Sequence, residues 1–382
     1  MGAIQKPVVI AAYKRTPFTR AYKGELARVR PDAFTAQLIT ALIKESKIKK
    51  KDVEDLIVGC AFPEAEQGFN VARLIGFLAK LDVSTAGMTL NRFCGSSMQA
   101  IHIAAGNLQM GAGEAYICAG VESMSLVPMT GHNPLPHPEL YESYPQAYMG
   151  MGETAENVAK KYKIGRERQD AFALQSQQRA SAAQKNGALK EEIVPIKNAA
   201  TSIESDSAIR AEATLEGLAS LDPAFDQKGT VTAGTASPLT DGASAVLVTT
   251  ADYAEKNNLD VLARIKSVSV AGCQPEIMGI GPISASRKAL ERAGIGVDDL
   301  DVVELNEAFA AQSLAVIDEL GLDEKKLNID GGALALGHPL GASGARITGK
   351  AAQLLKREKG TYALATMCIG GGQGIATVLE AV

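Results

Sequence analysis

Residues 48–58 read I-K-K-K-D-V-E-D-L-I-V, and residues 295–305 read I-G-V-D-D-L-D-V-V-E-L. Shifting the first stretch by 299 − 52 = 247 positions lays Asp52 on Asp299, Val53 on Leu300 and Glu54 on Asp301. Each copy follows an Ala-rich helical pattern and runs into an apolar, strand-like segment. Short charged-apolar stretches match easily, so the repeat gains its weight from the rhythm around it. Strand-like runs occur at 8–12, 55–61, 115–120, 245–250, 263–270 and 362–369. Helical patterns cover 32–46, 95–110, 284–293 and 344–356. Short apolar runs separated by amphipathic helices indicate an α/β fold, here in two related halves.

Between the halves, residues 121–235 break the rhythm. Pro128, Pro134, Pro136, Pro138 and Pro145 forbid a long helix early in this stretch. Met124, Met129, Met149 and Met151 lie in the same region, where polarizable side chains suit a cover that adapts to a flexible apolar ligand. Thr154 reads as the N-cap of a helix ending near Tyr162.

With 39 basic and 43 acidic residues in 382, the net charge is −4, so no general basic surface points to nucleic acid. A polyanionic ligand needs a local basic site. The five cysteines are widely spaced, without a C-x-x-C pair, which fits a reducing compartment and no structural zinc. No apolar run reaches the roughly 20 residues of a membrane helix. A strand-like run within the first ten residues leaves no room for a signal peptide, and L-E-A-V at the end is no peroxisomal address. The expected location is cytoplasmic.

Four stretches carry candidate chemistry. N-R-F-C-G-S-S-M-Q-A (91–100) sets Cys94 before a helix whose small first residues leave amides free to stabilise a thiolate. G-G-A-L-A-L-G-H-P-L-G-A-S-G-A-R (331–346) surrounds His338 with glycine, letting backbone and ligand approach. M-C-I-G-G-G-Q-G (367–374) ends a buried strand on Cys368, and L-N-E-A-F-A (305–310) puts Asn306 at a strand-to-helix turn. Such turns are where open α/β sheets bind ligands. His102, on an apolar helix stripe, reads as structural, and Cys60, Cys118 and Cys273 as core thiols.

These stretches, together with G-V-E-S-M-S and G-T-V-T-A-G-T-A-S, resemble the thiolase family in their order along essentially the whole chain. Within it they resemble bacterial fatty-acid-oxidation 3-ketoacyl-CoA thiolases. The resemblance implies a duplicated α-β-α-β-α layered fold with an inserted loop domain. Its parts would be 1–120 completed by 242–262, a loop domain 121–241 that covers the site and binds coenzyme A, and 263–382. It implies Cys94 as the acylated nucleophile, His338 as its base and Cys368 as the second acid/base. Asn306 would hold a water in one oxyanion hole with His338, and the amides of Cys94 and Gly370 would form the other. For coenzyme A, a co-substrate rather than a resident cofactor, it points to Arg210, Ser237 and Leu239, with Met151 and Phe309 as further contacts and no metal.

The partners implied are a second or further copies of the chain, as a homodimer or homotetramer, and a hydratase/dehydrogenase subunit. The activity implied is CoA-dependent cleavage of a 3-ketoacyl-CoA to acetyl-CoA and a shortened acyl-CoA in fatty acid β-oxidation. Acetyl-CoA acetyltransferase, an inactive lipid-binding relative and a ketosynthase-type condensing enzyme stand beside it, the last disfavoured by Cys368 in place of a second histidine. Two positions depart from the family pattern. Asp330 stands where many relatives carry asparagine, and Gly150 stands where biosynthetic relatives typically carry histidine, which bears on substrate length.

Overall fold

The structure, a computed structural model, describes residues 6–198 and 201–382. The first part runs β1 (Val8–Arg15), β2 (Thr19–Arg20), α1 (Pro31–Ser46), β3 (Val53–Gly59), α2 (Val71–Leu78), β4 (Ala86–Leu90), α3 (Ser96–Gln109) and β5 (Ala115–Ser123). An excursion follows, with α4 (Pro138–Ser143), α5 (Met151–Lys161), α6 (Arg166–Lys185), the strand pair β6 (Ile196–Lys197) and β7 (Ser202–Ile203), and α7 (Leu215–Ala219). The chain then rejoins the sheet as β8 (Thr240–Thr250) and continues through α8 (Ala251–Lys256). The last part runs β9 (Ala263–Gly272), α9 (Gly281–Ala293), β10 (Val302–Leu305), α10 (Ala310–Leu320), α11 (Ala333–Leu336), α12 (Leu340–Arg357), β11 (Tyr362–Ile369) and β12 (Gln373–Glu380).

Among the described residues the strands line up as β10-β11-β12-β9-β1-β8-β5-β3-β4, with β2 on β8. The order reads as a mirror about the β9–β1 seam, where Val9 pairs with Arg264 and Ile10 with Ala263. On one side β4 and β5 flank β3 in parallel and β8 runs antiparallel to β5. On the other, β10 is parallel to β11, β12 antiparallel to it, and a parallel bridge from Val303 to Leu327 stands where β4 does. The quoted repeat therefore marks equivalent strands, β3 and β10.

Side-chain alternation builds the layers, because successive residues of a strand face opposite sides. Val9 and Ala11 join the core under α1 and α2, while Val8 and Ile10 face α3 and α12. In β5, Ile117 and Ala119 go to the first side, and Tyr116 and Cys118 to the second. The core around α3 and α12 draws strand residues from both parts, and a third core packs α9 and α10 onto the last part. The result is helices, strands, helices, strands, helices. A central helix pair buried on all sides needs small residues. A Cβ on Gly344 of α12 would stand 2.4 Å from the Met98 amide of α3, so only glycine allows this approach.

The helix expected to begin at a Thr154 cap begins at Met151 with Gly150 as N-cap. The Thr154 hydroxyl donates instead to the Met151 carbonyl inside the helix, back-bonding that competes with capping. Asp330 accepts two hydrogen bonds from Arg357 and an ion pair from buried Lys350. Among the described residues no helix is long and apolar enough to cross a membrane.

Candidate active site

Cys94 sits in a tight elbow between β4 and α3. The Asn91 side chain accepts from the Phe93 amide, and Ser96 Oγ accepts from the Arg92 amide while donating to the Phe93 carbonyl. These bonds hold Phe93 at φ +43°, a left-handed conformation that costs a non-glycine residue about 1 kcal/mol. Gly95 follows because a Cβ there would lie 2.5 Å from Ile369 Cδ1. That close approach brings the end of β11 against the elbow. The amides of Gly370 and of Cys94 itself both donate toward the Cys94 sulfur.

The thiol is nevertheless not held as a thiolate. Although the residue keeps partial exposure, burial pushes the Cys94 pKa up to about 11, and Glu122 adds to the rise against the pull of the two amides. The helix N-terminus, expected to favour ionisation, is thus outweighed by desolvation. The surroundings are apolar: Ala61, Met124 and Leu340 pack with Cys94, and the Phe62 and Phe93 rings stand 5.9 Å apart. Glu122, whose role the sequence did not reveal, accepts from the amides of Ala61, Phe62 and Gly341 and from Gln67. It thereby ties the turn after β3 to the first turn of α12.

His338 is fixed by the turn before α12. Gly337 has φ +103°, and a Cβ there would collide with Thr240 Oγ1 at 2.4 Å. Thr240 accepts instead from the His338 amide at 3.1 Å. Ser343, one turn into the helix, meets His338 Nδ1 at 2.5 Å, and the Asn306 Nδ2 amide meets Nε2 at 3.4 Å. With the amide assigned as donor, Nε2 carries the lone pair and Nδ1 the proton. Burial, then Arg346, pushes the His338 pKa down to about 3, so the imidazole is neutral. Thr240 and Ser343 are site residues that sequence reading missed. Ser343 does stand five residues after His338 at the start of a helix.

Asn306 extends β10 with a 3.0 Å bond to the Thr366 carbonyl, and the adjoining turn is clamped by the Asn328 side chain on both backbone groups of Leu305. Cys368 is buried one strand away, and burial followed by Cys94 drives its pKa well above the ordinary thiol value. The two thiols lie within electrostatic reach. Cys368 shares an apolar cluster with Phe309, Met151, Ala236 and Met278. A Cβ on Gly370 would meet the Met151 sulfur at 3.4 Å.

Arg210 lines a separate cavity of about 230 Å³ with Arg20, Gln177, Ala213, Leu218 and Gly234. Ala236 and Pro238 line it as well, whereas Ser237 and Leu239 are not among its walls. Ser237 donates its amide to the Ala308 carbonyl, beside Phe309, and Leu239 is 43% exposed. Gly150 adopts φ −63° and ψ 142°, which any residue tolerates, and a Cβ there meets nothing closer than 3.9 Å. Its backbone does not require glycine. His102 is buried with Nε2 2.8 Å from the Thr377 hydroxyl, a satisfied core position. Cys60 and Cys118 are core thiols, but Cys273 is only partly buried and adds to the raised pKa of Cys368. It belongs to the rim of this region.

Comparison with known proteins agrees along the whole chain. The family model described as thiolase, N-terminal domain, matches residues 8–252, and that described as thiolase, C-terminal domain, matches 259–381. The chain is 48% identical to a 3-ketoacyl-CoA thiolase of Marinobacter nauticus, covering 100% of both chains. It is 45% identical to a 3-ketoacyl-CoA thiolase of Bacillus subtilis over 98% of this chain and 99% of the relative. The structure superposes on human mitochondrial 3-ketoacyl-CoA thiolase in complex with CoA with a TM-score of 0.92 at 40% identity, covering 100% of this chain and 99% of that one.

Proposed function

The chain belongs to the thiolase family, and from that premise we propose that it cleaves 3-ketoacyl-CoA with coenzyme A, yielding acetyl-CoA and an acyl-CoA two carbons shorter. The observation that carries this reading is the pair of amides, Cys94 and Gly370, directed at one sulfur with a second thiol in electrostatic reach. With the Cys94 thiol near 11 and the imidazole near 3, the resting site lies far on the thiol–imidazole side. Proton transfer from Cys94 to His338 Nε2 therefore accompanies attack, as negative charge passes to the substrate carbonyl oxygen. Thiolate is a soft nucleophile suited to that carbonyl.

The carbon–carbon bond then breaks, leaving an acyl thioester on Cys94 and an acetyl-CoA enolate that takes its proton from Cys368. Coenzyme A, entering as thiol, gives its proton to the resulting Cys368 thiolate and attacks the thioester carbonyl. The acyl group leaves on coenzyme A, and the expelled Cys94 sulfur takes back its proton from the His338 imidazolium. The Asn306 amide beside His338 and the Cys94 and Gly370 amides stabilise oxyanions, each donor contributing about 3 kcal/mol.

The cavity of Arg210 takes the nucleotide part of coenzyme A, with Ser237, Leu239, Met151 and Phe309 along the way to the thiols. The division into 1–120 with 242–262, 121–241 and 263–382 belongs to the same reading. So do a cytoplasmic setting, in keeping with five free thiols, and a homo-oligomeric state.

Initial rates of cleavage across 3-ketoacyl-CoA chain lengths test it. Gly150 adjoins Met151, which reaches the Gly370 backbone, so the missing side chain is expected to favour a longer acyl chain, each buried methylene contributing up to about 0.8 kcal/mol. kcat/KM is expected to rise from four carbons to medium chains, with Gly150→His flattening the rise. Cys368→Ala is expected to retain acyl transfer to Cys94 while slowing carbon–carbon cleavage at least a hundredfold or so. Cleavage by Cys368→Ala near the wild-type rate removes its acid/base role. A preference for acetoacetyl-CoA over every longer substrate moves the reading to acetyl-CoA acetyltransferase.

A further inference from the structure

Asn306 and His338 face each other from two different elements, the end of β10 and the turn entering α12. The same two elements are joined a second time, deeper in the core. Glu304, two residues before Asn306, accepts a 3.0 Å charge-assisted hydrogen bond from Arg346, eight residues beyond His338. Their side chains are 0% and 2% exposed. We propose that the Glu304–Arg346 ion pair is the positioning device of the reactive centre, setting α12 against β10 so that His338 Nε2 faces the Asn306 amide. The proposal rests on the thiolase reading of His338 and Asn306.

Stability alone is a poor reason for this pair. A buried ion pair is often no better than well-packed apolar residues of the same volume. This one also leaves Glu304 Oε1 and Arg346 Nη2 buried without a hydrogen-bond partner among the described residues, which adds to its cost. What an apolar pair lacks is direction and charge. A carboxylate–guanidinium bond fixes both distance and orientation between its two elements. The Arg346 charge acts on His338 next after burial, disfavouring the imidazolium.

The pair sits among further charges. Lys350 of α12 and Arg346 hold the Glu304 carboxyl down, while Asp330 and Glu192 push it up, and burial, the largest influence, leaves it at about 7. Tyr13 of β1 faces the same cluster and feels Glu192, Arg15, Arg346 and Glu304. The imidazole itself meets the Asn306 amide and the Ser343 hydroxyl, while the Thr240 hydroxyl accepts from the His338 backbone amide. Glu304 and Arg346 touch no reacting atom and act through Asn306 and His338.

The decisive variants are Arg346→Met and Arg346→Lys, read by the 13C-labelled histidine spectrum and by kcat and KM separately. The chain has only four histidines, and His102, held by Thr377, serves as internal control. In Arg346→Met the His338 titration is expected to move up by about one pH unit with His102 unmoved. kcat should fall about tenfold with KM within about twofold. Arg346→Lys, which restores the charge, should return His338 to its wild-type titration and recover most of kcat. Should Arg346→Met fail to fold because Glu304 is left alone, the double variant Glu304→Gln/Arg346→Met removes the stranded charge and should show the same His338 shift.

A folded variant without the Arg346 charge that keeps the wild-type His338 titration and kcat overturns the proposal. So does Arg346→Lys no better than Arg346→Met. If the wild-type chain cleaves no 3-ketoacyl-CoA, the thiolase reading fails by itself, and the His338 titration still decides this one.

Discussion

Five thiols compete for any electrophile that reaches this molecule, and their environments rank them. Burial raises Cys94 and Cys273 to about 11, with Glu122 and Glu276 respectively adding to the effect, and lifts the fully buried Cys60, Cys118 and Cys368 well above the ordinary thiol value. Reactivity follows the thiolate fraction and access, so iodoacetamide should label Cys94 and Cys273 first, at rates climbing steadily from neutral pH upward. A 3-ketoacyl-CoA or acyl-CoA should protect Cys94 and leave an acyl mass on its peptide, with Cys273 still open. Peptide mapping that finds Cys60 or Cys118 labelled first contradicts the ranking, and an acyl mass on Cys273 contradicts the assignment of the nucleophile. The ranking was invisible in the sequence. The glycines around Cys94, His338 and Cys368 were legible because close backbone approach demands tiny side chains. The burial that lifts Cys94, and the carboxylate of Glu122 beside it, come from segments far along the chain.

At the scale of elements, β4 is the exposed end of the sheet. Its residues Ala86–Leu90 are exposed or half-buried, and its outer edge has no partner among the described strands. Beside it Phe77, Leu78 and Val83 are 50%, 52% and 75% exposed. An unpaired edge next to an apolar patch is a liability in a monomer, and a second copy laid antiparallel along β4 removes both. Sedimentation equilibrium is expected to give a dimer or larger, and Phe77→Glu/Leu78→Lys to lower the mass toward the 40.0 kDa chain. A wild-type chain that stays monomeric at micromolar concentration rules the edge out as an interface. The same strand shows why part of the fold escaped reading. A-G-M-T-L carries neither clear alternation nor a run of branched residues, and its residues are exposed or half-buried. α12 begins at Leu340, four residues earlier than its pattern indicates, since Gly341 looks like a breaker although its missing side chain is what lets the first turn lie against Cys60 and Glu122. The buried strands β1, β5 and β11, largely apolar on both faces, were plain.

Across the whole molecule, the buried titratable groups pull stability in opposite directions as pH changes. His102 and His338 are held neutral, burial first lowering each to about 3. In the unfolded chain both protonate near 6.5. The unfolded state therefore binds more protons between these values, and stability is lost as pH falls below about 6.5. Glu304 does the reverse. Its carboxyl, raised chiefly by burial to about 7 in the fold, binds a proton more tightly than in the unfolded chain, near 4.3, so it returns stability as pH falls from about 7. At pH 5 each histidine has cost about 2 kcal/mol, and Glu304 has returned a little more than that. Partial cancellation follows, and the wild-type chain should lose only about 1–2 kcal/mol between pH 7 and 5 from these three groups. Glu304→Gln removes the compensating group. Its stability at pH 7 depends on how Arg346 tolerates an uncharged partner, but its slope does not: the fall from pH 7 to 5 should steepen by about 2–3 kcal/mol. Thermal unfolding followed by circular dichroism, suited to a chain without tryptophan, measures this as a larger drop in Tm on acidification. A Glu304→Gln chain whose Tm changes less between pH 7 and 5 than the wild type would show that Glu304 is already ionised in the fold at pH 7, with Arg346 and Lys350 outweighing its burial.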